Sequence, residues 1–323
     1  MKGAASSTIS FARGEHCVRV QRQLTSAPDA PVALTIGNFD GVHRGHQAML
    51  SRLVEAAEDL QLPPAVLTFE PHPREFFAPH AAPPRLSTLR AKLELFRAYG
   101  VAIAYVARFD ARLASLTATD FVRDVLEQGL HACWVLVGED FRFGRARQGD
   151  LAFLRATATR FSVESMRTID VNGERASSTA VRATLAAGDL ERAASLLGRN
   201  YAISGRVAHG DKLGRTLGFP TANVRLRRHP ALTGIFAVRV HGLDGGPRCG
   251  VASVGVRPTV KVDGEPLLEV FMLDFDQTIY RRRITVEFLH KLRDEARFPD
   301  VEALTRAIAR DVVDARNYFS AHG

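Results

Sequence analysis

The residues best suited to chemistry lie in the segment GNFDGVHRGH at positions 37–46. It combines His43 and His46 with glycines that let a backbone approach a ligand closely. If both histidines lie in the first turn of a helix, they share one face, where their rings can donate hydrogen bonds to phosphate oxygens. A helix N-terminus favours an anion as well. The segment therefore predicts a phosphate site, whereas a zinc site would need at least a third ligand, such as His72.

A second glycine-rich segment, HGDKLGRTLGFPTAN at residues 209–223, has glycines four residues apart and two cations, Lys212 and Arg215. A loop of this kind suits phosphates, but the pattern alone also fits an ordinary flexible loop. The chain contains no GxxxxGK[ST] motif, which excludes a P-loop protein. It also has no GxGxxG after its first strand, the pattern of a dinucleotide-binding loop. Phosphate chemistry here must instead use histidines and helix dipoles.

Glu269 stands in an otherwise apolar strand pattern, LLEVFML at residues 267–273. One interpretation is a carboxylate on the solvent-facing side of the strand. The other is a general base for a hydroxyl that loses its proton as it attacks a phosphate. The pattern leaves both open.

These segments, together with three others, resemble the prokaryotic bifunctional riboflavin kinase/FAD synthetase family. GxFDGxHxGH is similar to the nucleotide site of its FAD synthetase half and of the wider nucleotidylyltransferases that carry HxGH. TFEPHP at 68–73, GEDFRFG at 138–144 and SSTAVR at 177–182 follow in the family's order, with Ala176 where isoleucine is usual. GxxxGRxxGFPTAN is similar to the riboflavin kinase signature. The resemblance extends over roughly residues 30 to 320, nearly the whole chain.

The resemblance implies a bifunctional enzyme that converts riboflavin to FMN and FMN to FAD, using ATP and Mg²⁺ in both steps. In the second step the FMN phosphate attacks the α-phosphate of ATP and pyrophosphate leaves. His43 and His46 are then expected at the transferring phosphates and Arg182 at the leaving pyrophosphate. Further nucleotide contacts are expected at Gly37, Phe39, Asp40, Gly45, Asp140, Ser177, Ser178 and Thr179.

For the kinase half, the resemblance implies that Thr221 and Asn223 hold Mg²⁺ and that Glu269 is the catalytic base. A hydroxyl and an amide carbonyl are the hard oxygen ligands that Mg²⁺ prefers. Other contacts to ATP or the flavin are expected at Gly210, Lys212, Gly214, Arg215, Gly218, Pro220, Arg293 and Glu295.

Two positions depart from the family pattern. Residues 277–281, QTIYR, stand where the family usually has a Gly-Asp-Leu-Tyr-Gly-like turn, and Val260 stands where an aromatic residue is usual. Loss of a turn glycine can change the local path of a loop. An enzyme with only one working half therefore remains an alternative, which separate assays of the two steps distinguish.

The first half of the chain alternates apolar strands with amphipathic helices. Strands are predicted at residues 32–36, 65–69, 101–106 and 133–137, helices at 44–60, 87–99 and 120–128, then a further helix, strand and helix through 187, and a proline-rich loop at 71–84. This order predicts a Rossmann-like, doubly wound parallel sheet. Ligands bind such sheets beyond the carboxyl ends of the strands, which is where Gly37 and Gly138 stand.

The second half shows short strands without helices between them. They are predicted at residues 201–207, 235–240, 251–254, 267–273 and 284–289, before an amphipathic helix from Asp300 to about Tyr318. The pattern fits a barrel or a sandwich, and the resemblance selects a small antiparallel β-barrel with a C-terminal helix. We expect an adenylyltransferase domain over residues 1–187 and a kinase domain over 188–323, joined by a short helix within 188–200.

Length and composition agree with a two-domain globular enzyme. A chain of 323 residues with 46% apolar and 24% charged residues is not a disordered, collagen-like or coiled-coil protein. The net charge of +8 comes mostly from arginine, which suits phosphate oxygens. That charge also motivates the alternative of a nucleic-acid-binding regulator, but the basic residues are scattered, so no nucleic-acid partner is expected.

The compartment follows from what the sequence lacks. Three widely spaced cysteines form no CxxC pair, and neither a secretory signal nor an apolar stretch of about 20 residues occurs. We therefore expect a cytoplasmic protein without membrane contact, a monomer or weak homo-oligomer whose partners are flavins and ATP.

Overall fold

Buried apolar strands organise both halves of the chain. The computed structural model describes residues 17–24, 30–209, 219–226, 228–256 and 266–322. Their contacts divide the chain into two compact units. The first comprises the described residues up to Pro83 together with Leu89–Ala176, and the second comprises Pro84–Thr88 together with the described residues from Ser177 onward.

The first unit is built on a parallel sheet, which confirms the predicted Rossmann-like fold. Its strands are β1 Arg19–Gln21, β2 Val32–Ile36, β3 Pro64–Glu70, β4 Ile103–Arg108, β5 Ala132–Gly138 and β6 Ser162–Met166. Among the described residues they lie in the order β1-β4-β3-β2-β5-β6, each pair parallel. Every residue of β2 is buried, as expected for a strand covered on both faces.

Helices connect these strands. They are α1 Arg44–Asp59, α2 Pro73–Phe77, α3 Leu89–Ala98, α4 Ala111–Ser115, α5 Ala118–Asp120, which continues as a π-helix over Phe121–Glu127, and α6 Leu151–Thr157. A small hairpin, β7 Asp170–Val171 and β8 Glu174–Arg175, follows β6. Helix α1 buries Leu50, Leu53, Ala56 and Ala57.

The predicted loop over residues 71–84 is wrong in part, because α2 lies within it. Pro73 occupies the start of this helix, where its missing N–H costs little. His72 and Glu75 form a capping box: Nδ1 of His72 accepts a hydrogen bond from the N–H of Arg74, and the Glu75 carboxylate accepts one from the N–H of His72, both at 3.1 Å. These local hydrogen bonds outweigh the proline content of the segment.

Strand β1 lies in a stretch for which the sequence predicts no element. It pairs in parallel with β4, with Val20 opposite Ala104. Three residues are too few to show a periodic pattern, so only the neighbouring strand identifies this segment as sheet.

The second unit contains the predicted antiparallel barrel. Its strands are β9 Ala202–Ala208, β10 Thr221–Arg225, β11 Gly234–His241, β12 Arg248–Val256, β13 Pro266–Met272 and β14 Arg283–Arg293. In the described part of the chain the barrel order is β10-β13-β12-β11-β14-β9, and pairing of β9 with β10 closes it. The sequence did not predict β10, because its first three residues lie inside the glycine-rich motif.

Three helices of the second unit lie in the described residues: α7 Ser178–Ala187, α8 Leu190–Leu197 and α9 Val301–His322. Helix α8 is the short helix expected within residues 188–200. Helix α9 is the predicted C-terminal helix, and its buried Ala315 packs against β11 and β12 residues such as Ile235 and Val251. No helix in the described residues is both long and apolar enough to cross a membrane.

Leu53 and Leu60 allow a matched test of the core around α1. Leu53 is completely buried, whereas Leu60, at the end of the same helix, is 48% exposed. Leu53→Ala removes buried atoms and leaves a cavity, so it should lower the free energy of unfolding by about 3 kcal/mol. Leu60→Ala should cost about 0.5 kcal/mol or less. Denaturation followed by fluorescence of Trp134, the chain's single tryptophan, monitors the first unit because Trp134 lies in β5. Equal losses in the two variants would contradict the buried position of Leu53.

Candidate functional site

The two histidines of the first motif lie together where β2 passes into α1. His43 precedes the helix as its N-cap residue and is 7% exposed, while His46 lies in the first turn and is half-buried. Their rings stack with centroids 3.7 Å apart and planes 26° apart. The spacing of three residues thus brings both imidazoles onto one face, as the sequence predicts.

The turn beneath the histidines is tightly constrained. Phe39 and Val42 adopt left-handed backbone conformations, with φ of 50° and 43°. Non-glycine residues in this region are strained and persist only where their surroundings hold them. The Phe39 ring is 1% exposed and lies 4.9 Å from the His46 ring and 5.3 Å from the Phe96 ring. Phe39, expected at the nucleotide, therefore uses its side chain to support His46, and Asp40 beside it is also buried.

Gly45 permits the close approach of the histidine-bearing turn and Ala176. A Cβ at this position would lie 3.2 Å from the carbonyl oxygen of Ala176 and 3.2 Å from atoms of the His43 ring. These distances are tighter than ordinary van der Waals contact, so a side chain here would displace its neighbours. A Cβ at Gly37 would likewise lie 3.1 Å from the Phe39 ring.

His46 has the electrostatic properties of a neutral donor. Burial, together with the nearby positive charges of His43 and Lys92, lowers the pKa of His46 well below its usual range. Its Nδ1 is buried and has no hydrogen-bond partner among the described residues. A neutral imidazole with an unused nitrogen suits hydrogen bonding to a bound ligand.

Asp140, the candidate from the motif after β5, forms an ion pair with Arg175 at the end of the β7–β8 hairpin. Gly138, at the end of β5, lies next to this carboxylate. Because β2 pairs directly with β5, with Thr35 opposite Leu136, the segments that follow the two strands leave the sheet side by side. Strand order reverses here, which is the usual ligand position in such sheets.

The SSTAVR segment forms the start of α7 and belongs to the second compact unit. Ser177 caps the helix, its hydroxyl accepting a hydrogen bond from the N–H of Ala180 at 3.1 Å. Ser178 and Thr179 occupy the first turn. Arg182 donates from Nε to the carbonyl oxygen of Pro84 at 2.6 Å and from Nη1 to that of Ser178 at 3.1 Å.

An aromatic cluster beyond β3 and β4 was missed by the sequence reading. Phe76 and Phe77 of α2 lie 5.5 and 5.7 Å from the Phe109 ring, which also lies 5.8 Å from Phe69. Phe77 is 67% exposed and Phe76 is 37% exposed. The adjacent phenylalanines in a proline-rich segment were the available signal, but only the sheet brings Phe109 to them.

In the second unit, the kinase candidates meet on neighbouring strands. Thr221 and Asn223 are two residues apart in β10, so their side chains lie on one face. Asn223 stands opposite Glu269 of β13. Alternate residues Ala222 and Val270 are buried in the barrel, which leaves Thr221 and Glu269 on the other, half-buried face.

Asn223 has a side-chain oxygen that is available to bind a metal ion. Its residue is 7% exposed, its Nδ2 donates to the carbonyl oxygen of Thr221 at 3.3 Å, and its Oδ1 is buried without a partner among the described residues. The remaining loop candidates, Gly210, Lys212, Gly214, Arg215 and Gly218, lie outside the described residues.

A pocket lies beside this strand. Pro220 and Thr221 line it on one side and residues 275–280 on another. The Tyr280 ring stacks on His209 with centroids 3.9 Å apart. The segment that departs from the family pattern therefore forms a wall of a pocket next to Thr221.

Arg293 is the last residue of β14 and Glu295 follows the strand, and the two differ in their surroundings. Arg293 makes a two-pronged salt bridge with Asp311 of α9, both N–O distances being 2.7 Å, and Asp311 is buried. The Glu295 carboxylate lies against Gly255 of β12, where a Cβ would overlap it, and partial burial raises the pKa of Glu295. Arg293 thus ties the segment after β14 to α9, whereas Glu295 lies over the barrel wall.

The zinc alternative finds no support in the described residues. The Nδ1 of His72 caps α2. No group of three or more potential metal-binding His, Cys, Asp or Glu side chains occurs among the residues that the structure describes.

Comparison with known proteins covers both units. Family models described as FAD synthetase and riboflavin kinase match residues 25–180 and 197–319. The bifunctional riboflavin kinase/FMN adenylyltransferase of Escherichia coli is 47% identical over 305 residues, 94% of this chain and 97% of the relative. That of Pseudomonas fluorescens is 50% identical over 285 residues, 87% and 91% of the two chains. A crystal structure of a macrolide-efflux protein from Streptococcus pneumoniae matches with a TM-score of 0.78 and 27% identity, covering 92% of this chain and 98% of that one.

The lowered pKa of His46 can be measured by NMR titration of labelled histidine, with His46→Gln to assign the signal. His46 should stay neutral below the pH of about 6.5 at which an unperturbed histidine is half protonated. The folded chain then binds fewer protons than the unfolded chain in acid, so stability should fall as pH drops below about 6.5. The fall should be smaller in His46→Gln. A His46 pKa at or above that of a model peptide would contradict the geometry.

Proposed function

The chain belongs to the family of bifunctional riboflavin kinases/FMN adenylyltransferases, and from this premise we propose how its two halves make FMN and then FAD. Residues 1–187 form the adenylyltransferase domain and residues 188–323 the kinase domain. Matches of the two family models to residues 25–180 and 197–319 support this assignment. ATP is the second substrate of both reactions.

Adenylyl transfer takes place above the paired histidines. The FMN phosphate attacks the α-phosphate of ATP, a bond to the α-phosphorus forms, and the bond to the leaving pyrophosphate breaks. His43 and His46 donate hydrogen bonds to the transferring phosphates, and the N-terminus of α1 adds its positive potential. The stacked rings, with one unpartnered Nδ1, are the observation that carries this proposal.

By the family resemblance, the SSTAVR segment balances charge on the leaving pyrophosphate. Ser178, Thr179 and the α7 N-terminus supply donors, while Ser177 holds the helix start. Arg182 supplies the positive charge. Asp140, with its partner Arg175, contacts the nucleotide beyond the carboxyl end of β5.

The phenylalanine cluster provides an exposed apolar surface for the flavin of FMN. Phe76, Phe77 and Phe109 lie beyond the ends of β3 and β4, on the same edge of the sheet as the histidines. Aromatic rings prefer offset-stacked or edge-to-face contact with other ring systems. Their exposure is explained if an isoalloxazine ring covers them.

In the kinase domain, Glu269 takes the proton of the ribityl 5′-hydroxyl as that oxygen attacks the γ-phosphate of ATP, and ADP leaves. Its position opposite Asn223 supports this role, because the register sets the base beside the phosphate-binding strand. The pocket between Pro220 and residues 275–280 receives the nucleotide. Glu295 contacts the flavin, and Arg293 fixes the segment that carries it.

The donor set of β10 fits Mg²⁺. The buried, unpartnered Oδ1 of Asn223 and the hydroxyl of Thr221 are hard oxygen ligands on one face of the strand. When bound there, Mg²⁺ neutralises charge on the ATP phosphates. Asn223 and Thr221 orient the ion, and Glu269 performs the proton transfer.

The protein is proposed to work in the cytoplasm as a monomer or weak homo-oligomer, with flavins and ATP as its partners and no nucleic acid or membrane. Free cysteines at positions 17, 133 and 249 support a reducing compartment.

Chromatography of the flavins over time tests the proposed sequence of reactions. With riboflavin, ATP and Mg²⁺, FMN should rise first and then give way to FAD. Unchanged riboflavin, with added FMN still converted to FAD, would show that the altered residues 277–281 leave the kinase inactive. Absence of both products would overturn the proposal.

Variants in the two sites should separate the two steps. His46→Ala should lower FMN adenylylation about a hundredfold or more and spare riboflavin phosphorylation. Glu269→Gln, which keeps the size of the side chain and removes the base, should lower the kinase rate about a hundredfold or more and spare adenylylation. Each variant is the control for the other. Equal loss of both activities in either variant would contradict separate sites.

A further inference from the structure

Lys92 is a buried cation next to the turn that precedes His43. It lies in α3, is 4% exposed, and is one of only five lysines in the chain. Lysine is almost never fully buried unless its charge is compensated, because desolvation of an ammonium group is costly. The proposed phosphate contacts do not include it, so its burial needs another explanation.

The hydrogen bonds of Lys92 converge on the start of the turn. Its Nζ donates to the carbonyl oxygen of Asn38 at 2.6 Å and to the hydroxyl of Thr68 in β3 at 3.3 Å. The Thr68 hydroxyl lies 3.2 Å from the same Asn38 oxygen. A helix and a strand are therefore tied to one peptide carbonyl, directly before the left-handed residue Phe39.

We propose that Lys92 is a positioning residue for adenylyl transfer, a buried cation that holds the Asn38–Phe39 turn and thereby sets His46 against His43. The proposal rests on the adenylyltransferase activity proposed above. The chain of contacts is continuous: Lys92 holds Asn38, the turn presents the Phe39 ring, and that ring packs 4.9 Å from His46.

The charge of Lys92 supports the same positioning role as its hydrogen bonds. The cations that act on His46 are His43, from its own turn, and Lys92, from α3, and both favour the neutral form of His46. A charge in a low-dielectric interior acts over longer distances than one in water. Lys92 therefore favours a neutral imidazole at His46 and an anionic ligand beside it.

Three substitutions separate charge, hydrogen bonding and bulk at this position. Lys92→Met keeps the bulk alone, Lys92→Gln keeps a hydrogen-bond donor without the charge, and Lys92→Arg keeps the charge and donors. Arg90→Met is the matched control, because Arg90 lies on the same helix in an exposed pair with Glu94. Exposed pairs of this kind contribute little, so that variant should behave as wild type.

The test measures FAD formation from FMN and ATP, riboflavin phosphorylation, and the NMR titration of His46 in each variant. Lys92→Met and Lys92→Gln should lower kcat for adenylylation about tenfold to a hundredfold, leave the kinase rate unchanged, and raise the pKa of His46. Lys92→Arg should restore part of kcat and keep the pKa of His46 low. A residue that only stabilised the fold would not shift the His46 titration in a folded variant.

The outcomes distinguish this role from the activity on which it rests. If the wild-type protein makes no FAD, the adenylyltransferase proposal fails and this one with it. If the wild type makes FAD and the folded Lys92→Gln protein makes it at the same rate, only the role of Lys92 is overturned. Should Lys92→Met fail to fold, Lys92→Gln and Lys92→Arg decide. An unshifted His46 titration in Lys92→Gln would likewise overturn it.

Discussion

Parallel pairing of β2 with both β3 and β5 is the constraint on which the first site depends. It places the turn after Ile36 between the segment that follows β3 and the segment that follows β5. Because strand order reverses at this point, the edge is open to a ligand there. The histidines, Asp140 and the phenylalanine cluster all lie beyond this one edge, although the chain reaches them through separate loops.

That arrangement concentrates groups that are unfavourable in a protein interior. The first unit buries His43, Asp40 and Lys92 and holds Phe39 and Val42 in left-handed conformations. Each desolvated group is costly unless it is hydrogen-bonded or balanced by charge. Under the proposed function, bound phosphates supply charge opposite to that of Lys92, so stability is given up where binding needs preorganised donors. Buried core residues of α1, such as Leu50 and Leu53, offset this loss of stability.

In the barrel, paired strands rather than a turn position the side chains of the site. Antiparallel pairing of β10 with β13 sets Asn223 opposite Glu269, so the proposed metal ligand and the proposed base are placed by backbone hydrogen bonds rather than by a loop. Because side chains alternate between the two faces of a strand, Ala222 and Val270 lie in the barrel core, and Asn223 and Glu269 lie on the other face. A rigid scaffold of this kind positions side chains more accurately than a flexible turn does.

The sequence by itself determined the residue types, their spacing and the α/β class of the first half, because helical and strand periods and caps are local. For the second half the strand pattern left a barrel or a sandwich, and the family resemblance selected the barrel. His43 and His46 could be paired from their spacing of three, and β2, α1 and β5 from their apolar patterns. Only the tertiary structure decided that Lys92 lies below Asn38, that Phe109 joins Phe76, and that Arg293 is bound by Asp311. These partners are 54, 33 and 18 residues apart. A local pattern shows that a residue is buried or polar, but strand order and helix packing determine which distant residue it contacts.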